Sequence, residues 1–115
     1  MPLLKLETTV ALSDDKKKTV LAALSKAVAD TIGKPEQYVM VSTGQSAMLM
    51  SGKAGEAAFV DIRSIGGLND ETNRKLSQQI CKLLKDSLGI APDRVYLNFN
   101  DVEAGNWGCN GSTFG

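Results

Sequence analysis

The chain has no histidine, only two cysteines, and no net charge, its 13 basic residues being matched by 13 acidic ones. Each shortage closes off a chemistry. Without histidine there is no histidine-dependent catalytic triad, and the usual zinc centres lose their commonest ligand. Cys81 and Cys109, alone and widely separated, cannot supply a metal site, so no metal is expected. They read as free thiols, more often core filler than nucleophiles. A neutral balance gives no broad electrostatic footprint for nucleic acid. The one basic run, Lys16-Lys17-Lys18, follows Asp14 and Asp15 on an early helical turn and reads as a solvated face. No signal segment or membrane span is visible, which leaves a cytoplasmic home as the default and no membrane as partner. Gly52-Lys53-Ala54 lacks the earlier glycine and the following hydroxyl of a phosphate loop, so Ser51 to Gly55 is expected to be a plain turn.

What is present is a doubled unit. The offset that carries Ser13 to Asn69 also superimposes Leu12 on Leu68, Val20 on Leu76, Leu24 on Ile80, Val28 on Leu84, Ile32 on Leu88, Gly33 on Gly89 and Val39 on Val95. Each half reads as strand, helix, strand. Ser13 and Asn69 are N-cap candidates, each followed by two acidic residues suited to the positive end of a helix dipole. Val20, Leu24, Ala27, Val28 and Ile32 recur at helical spacing, as do Leu76, Ile80, Leu83, Leu84 and Leu88. Gly33 with Pro35, and Gly89 with Pro92, end the helices. Strands are expected over Leu3 to Glu7, Tyr38 to Thr43, Ala57 to Arg63 and Arg94 to Asn100. Two right-handed crossover units then make an α/β fold of the α+β sandwich type: one four-stranded mixed sheet with both helices on one face, a single domain over residues 1–115. On the last strand Tyr96, Asn98 and Asn100 point away from the helices, as do Asp61 and Arg63 on the third. That face is too polar for a dry core; it is either solvated or lines an interface around water.

The chain begins Met1-Pro2. Removal of Met1 would leave a secondary amine, which is a base, at the terminus. A terminus is ordinarily frayed. Here the internal offset carries Pro2 onto Ala58, inside an apolar strand, so Pro2 is expected within the sheet. If Met1 stays, the Pro2 nitrogen is an amide without basicity. Ser64-Ile65-Gly66-Gly67, between the third strand and the second helix, offers free backbone N–H groups to an anion, or is an ordinary connecting turn.

Pro2, Gly33-Lys34-Pro35-Glu36-Gln37-Tyr38-Val39, Ser64-Ile65-Gly66, Pro92-Asp93-Arg94-Val95-Tyr96-Leu97-Asn98 and Ser112-Thr113-Phe114 together resemble the macrophage migration inhibitory factor family of tautomerases, in register over the whole chain. The resemblance implies a homotrimer of such subunits, which would put the polar sheet face around a central, water-lined position. It implies keto-enol isomerisation of small aromatic α-keto acids, phenylpyruvate and hydroxyphenylpyruvate, with dopachrome-type analogues, and no cofactor. By the same resemblance Pro2 is the catalytic base, Lys34 binds the substrate carboxylate, and Ile65 acts through its N–H. Tyr96 and Asn98 come from the adjacent subunit, and Trp107 and Phe114 stand at the pocket rim. Lys5 is expected to help depress the proline amine. Some family members also signal outside the cell, so a protein receptor and secretion without a signal peptide remain open, with the enzyme site vestigial in that case.

The chain departs from the family pattern in three places. Animal members carry Cys-x-x-Cys where this chain has Ala57-Ala58-Phe59-Val60, so thiol-disulfide activity is expected to be absent. Trp107 replaces a valine and Cys109 a tryptophan. Trp107 either narrows the pocket mouth or swings out as surface; the first is favoured, because so large a side chain usually finds something to pack on. Phe99-Asn100 also departs from an aromatic pair.

Overall fold

Ser13 accepts the Lys16 N–H through its hydroxyl and Asn69 accepts the Thr72 N–H through its amide oxygen, and from these caps two nineteen-residue helices run, α1 (Asp14–Ile32) and α2 (Asp70–Leu88). Each cap contributes about 1 kcal/mol. Both helices stop where Gly33 and Gly89 turn left-handed, with φ of 79° and 71°, which lets the cap N–H close back onto the last turn. The computed structural model describes Met1–Gly115 and shows the doubled unit directly: β1 (Pro2–Thr8), α1 and β2 (Met40–Gln45) are followed by β3 (Ala58–Ser64), α2 and β4 (Val95–Asp101).

The sheet order is β2-β1-β3-β4, with β1 parallel to β2, β3 parallel to β4, and the two halves joined antiparallel through β1 and β3. Alternation along β1 and β3 sends Leu4, Leu6, Val60 and Ile62 toward the helices, where they meet Val20, Leu24, Val28, Leu76, Ile80 and Leu84 in one core. Fully burying each such side chain contributes roughly 1.5–3 kcal/mol. The opposite face carries three cross-strand rows: Met40, Leu3, Arg63, Asn100; then Ser42, Lys5, Asp61, Asn98; then Gly44, Glu7, Phe59, Tyr96. Its middle is polar, with Arg63 paired to Asp61 at 2.9 Å and Asn100 donating to Asn98 at 2.8 Å. Its far end is apolar: Tyr96 and Phe59 adjoin Met48, Leu49 and Met50.

Three features differ from the sequence-based expectation. The second strand starts at Met40, not Tyr38, because Pro35 opens a short 3-10 turn over Glu36–Tyr38 in which Tyr38 N–H donates to Pro35 O. Tyr38 is thereby lifted off the sheet. Pro92–Arg94 forms the matching turn, and Arg94 leaves the last strand to donate to the carbonyls of Met50, Lys53 and Glu56. The tail beyond β4 is also structured, with β5 (Gly108–Cys109) and β6 (Ser112–Thr113) forming a hairpin about Asn110 and Gly111. Both turn residues have positive φ, the twist that suits a two-residue hairpin loop. Ser51 and Gly52 form the expected turn, bridged by mutual hydrogen bonds of Met50 and Lys53.

Gly67 distinguishes a space requirement from a backbone requirement. Its φ is +83°, and a methyl placed on it would lie 2.7 Å from Ile32 Cγ2, whereas Gly52 at +70° faces open space. Both glycine-to-alanine changes meet the left-handed penalty of about 1–2 kcal/mol, and Gly67→Ala adds an overpacking cost of roughly 1–3 kcal/mol. Urea unfolding is expected to show the larger loss for Gly67→Ala; equal losses would mean that Ile32 yields freely.

Candidate functional site

β1 and β2 begin, and β3 and β4 end, at the same edge of the sheet, and the C-terminus of α1 arrives there too. Pro2 is the first residue of β1 and is buried, paired with Ser64. A proline has no N–H for the ladder and is tolerated at such a position. The N-terminal residues are thus held in the middle of a sheet, as expected for Pro2.

A cavity of about 520 Å³ opens against Pro2, walled by Met1, Leu3, Tyr38, Trp107 and Phe114 among others. A second chamber of about 350 Å³ is walled by Met1, Lys34, Pro35, Tyr38, Ile65, Ala104 and Phe114. Met1, Tyr38 and Phe114 line both, and so form the partition between them. Lys34 follows the helix-ending Gly33, its N–H donating to Ala29 O, and its stem lies along the Gly66–Gly67 turn: a methyl on Gly67 would sit 3.6 Å from Lys34 Cε, and one on Gly66 3.9 Å from Nζ. The Ile65 N–H donates to nothing within the chain, and Ile65 lines the second chamber. The terminal amine, here on Met1, is held below the usual range of an α-amine, first by burial and then by the nearby Lys34 charge. Both causes disfavour the protonated form.

Of the residues picked out from the sequence, Pro2, Lys34, Ile65, Trp107 and Phe114 converge on these two chambers. Trp107 is half-buried in the wall of the first, its carbonyl accepting the Phe114 N–H at 3.1 Å. Tyr96 and Asn98 do not join them within one chain. They lie on the open sheet face, Asn98 in the row of Lys5 and Tyr96 in the row of Glu7. At about 3.3 Å per residue and 4.8 Å per strand this puts them roughly 14 and 19 Å from Pro2. Lys5 is a correction: it lines neither chamber, lying between Ser42 and Asp61 one row beyond the Met40, Leu3 and Arg63 that wall the first. Lys34 is the cation that acts on the terminal amine of Met1. Tyr38 went unassigned in the sequence as a wall residue; the signal was Pro35, which starts the turn that lifts it.

The whole chain, residues 1–115, matches the model of the family described as macrophage migration inhibitory factor (MIF). The macrophage migration inhibitory factor of Meriones unguiculatus is 38% identical over 115 residues, covering 99% of each chain. Among solved structures, a macrophage migration inhibitory factor-like protein from Entamoeba histolytica superposes with a TM-score of 0.94 at 34% identity over 98% of both chains. Another, Pt0534 inactivated by 2-oxo-3-pentynoate, gives 0.86 at 25% identity, covering 96% of this chain and 94% of that one.

The two thiols differ in a way that reports on this site. Cys109 is exposed and lines the Pro2 cavity, whereas Cys81 is half-buried against the core and its thiol pKa is pushed up by burial. Since the thiolate is the reacting form, a chromogenic disulfide reagent is expected to label one thiol fast and the other slowly. Mass spectrometry should find the fast label on Cys109, and an aromatic acid filling the cavity should slow it. Fast labelling of Cys81 would contradict this picture.

Proposed function

This chain belongs to the macrophage migration inhibitory factor family, and from that membership we propose that residues 1–115 act as one cofactor-independent tautomerase domain on phenylpyruvate-type α-keto acids. The observation that carries the reading is a buried proline at the first position of a central strand, facing a cavity that adjoins a cation and an unpaired N–H. Loss of Met1 converts the Pro2 amide nitrogen to a secondary amine and opens the partition between the two chambers. That amine inherits the burial and the Lys34 charge that already depress the Met1 amine. A neutral amine takes the proton from the carbon beside the ketone, the electron pair moves to the ketone oxygen, and the resulting ammonium returns the proton to that oxygen, giving the enol; ketonisation is the reverse. Lys34 and the Ile65 N–H hold the substrate carboxylate, and Tyr38, Trp107 and Phe114 enclose the ring. That the neighbouring Pt0534 is inactivated by 2-oxo-3-pentynoate, an α-keto acid, supports this substrate class.

Tyr96 and Asn98 enter the same site from another subunit of a homotrimer, which is the arrangement their distance from Pro2 calls for. The apolar end of the open sheet face, with Tyr96 65% and Leu49 73% exposed, supplies the contact surface. In a chain that keeps Met1 the Pro2 nitrogen is an amide and cannot serve as this base.

On protein shown by intact mass to begin at Pro2, Pro2→Gly is expected to lower phenylpyruvate ketonisation by about 10²–10⁴-fold, the usual worth of a positioned base, with the assembly intact by sedimentation. Full activity in Pro2→Gly would remove the base assignment, and a monomer would remove the roles of Tyr96 and Asn98. Lys34→Gln should raise KM about tenfold or more, since a hydrogen bond to a charged group is worth about 1.5–3 kcal/mol. It should also move the acid limb of the pH–rate profile upward. The sign follows from the cause: removing a neighbouring cation raises the amine pKa, so activity, which needs the neutral amine, is lost at a higher pH. A limb that stays put would mean burial alone tunes the amine.

A further inference from the structure

Three consecutive peptide planes follow β3, and each is fixed by one hydrogen bond. Val102 N–H donates to Ser64 O at 2.9 Å, fixing the Ser64–Ile65 plane. The Gly66 N–H donates to Asp101 Oδ1 at 3.1 Å, fixing the Ile65–Gly66 plane, and Ser64 Oγ donates to Gly66 O at 2.7 Å, fixing the next. In a trans peptide the N–H and C=O point opposite ways. With Ser64 O held toward Val102, the Ile65 N–H is directed away from it and left without a partner in the chain.

From this geometry we infer that Asp101 is a positioning residue for carboxylate recognition: it fixes the Ile65–Gly66 plane, which carries the stem of Lys34 and adjoins the plane through which Val102 aims the Ile65 N–H, without touching the ligand. The inference rests on the reading of Lys34 and Ile65 as the carboxylate cradle and adds the residue that builds it. Asp101 does not line the chamber of Lys34 and Ile65; it faces the polar hollow on the other side, with Arg63, Asn100 and Glu103. Its carboxylate forms no ion pair, so its hydrogen-bonding role within the chain is to hold Gly66. Gly66 and Gly67 at φ of +76° and +83° leave the turn few restraints of its own, because glycine moves freely between wells that other residues avoid. Orientation must therefore come from outside the turn.

The internal repeat provides a built-in comparison. The offset that carries β1 to β3 matches Thr8 with Ser64, Val10 with Gly66 and Gln45 with Asp101. In the first unit the Val10 N–H goes to the Thr8 hydroxyl at 3.2 Å, Gln45 Nε2 donates to the Thr9 carbonyl at 3.4 Å, and the Thr9 N–H donates to Ala57 O, so the side chain matching Asp101 also reaches its turn but the N–H matching that of Ile65 is already paired. In the second unit Ser64 turns to the Gly66 carbonyl and the Gly66 N–H passes to Asp101. The offset matches Lys34, whose stem lies along the second turn, with Ile90.

The test uses Met1-free Asp101→Ala and Asp101→Asn; Asp101 is exposed, and circular dichroism checks each fold. Trp107, the only tryptophan, lines the cavity and reports binding by its fluorescence, so the affinity of 3-phenylpropanoate, which has no ketone to enolise, is read without turnover. Asp101→Ala is expected to weaken 3-phenylpropanoate and to raise KM for phenylpyruvate by about tenfold, as loss of a held charge-assisted contact does, with kcat changed far less. Phenylpyruvate methyl ester, lacking the carboxylate, should keep its KM. Asp101→Asn retains an oxygen acceptor for the Gly66 N–H and should recover most of the affinity. Equal losses for acid and ester, unaltered 3-phenylpropanoate affinity in Asp101→Ala, or an Asn variant as weak as the Ala variant would each overturn the inference. If the unmodified chain binds 3-phenylpropanoate in an Asp101-dependent way but turns nothing over, the positioning role stands and the tautomerase reading falls alone.

Discussion

The rest of the site depends on one constraint, the pairing of Pro2 with Ser64 at the start of a central strand. A chain terminus loses considerable backbone entropy when it is fixed, and isolated contacts rarely repay that cost. Here the repayment comes from β1 lying between β2 and β3 with Leu4 and Leu6 fully buried beneath it. The burial needed for the core also places the terminal nitrogen. Cavity, cation and turn are arranged about that fixed position.

The two halves of the chain coincide closely in their elements, and the candidate chemistry lies where they differ. Pro2 stands opposite Ala58, Lys34 opposite the fully buried Ile90, Tyr38 opposite Arg94, and Gly66 opposite Val10. At the other end of the sheet Arg94 clamps the Met50–Glu56 loop, where Tyr38 walls a cavity at this end. The pseudo-symmetric scaffold supplies two equivalent edges, and only one carries an amine, a lysine and an unpaired N–H. Fold and site thus make separate demands on the sequence: the core stripe, the caps and the closing glycines are repeated, and the candidate chemistry sits at positions that are not.

That division also explains what could be read from the sequence. Helix limits were legible because cap, stripe and closing glycine agreed, and the offset between halves tied them together. The open sheet face was legible from alternation at Tyr96, Asn98 and Asn100. Lys5 was picked by proximity along the strand, but it stands one row beyond the residues that wall the cavity. Tyr38 was misread because β-propensity outweighed the local effect of Pro35. The tail was missed since its strands are two residues long, although Asn110-Gly111 is a recognisable hairpin turn. No spacing rule could show that Tyr96 and Asn98 lie far from Pro2, because strand separation is a property of the assembled sheet.

The tail shows how little of this site stability alone would require. Every fully incorporated core residue lies between Leu4 and Val95, with Leu97 and Phe99 packed against the edge. Beyond them the chain buries no residue completely, yet it supplies Val102 and Asp101 to the Ile65 turn and Trp107, Cys109 and Phe114 to the cavity wall. The first two residues and the last dozen meet across the same space, closed by the bond from Phe114 N–H to Trp107 O. Substitutions there are free of the packing constraints that bind the core, so the exchange of a large and a small side chain between positions 107 and 109 can reshape the mouth of the cavity. Differences in substrate preference among proteins of this fold are therefore most readily accommodated in the tail, while the strand that carries Pro2 is held by the core.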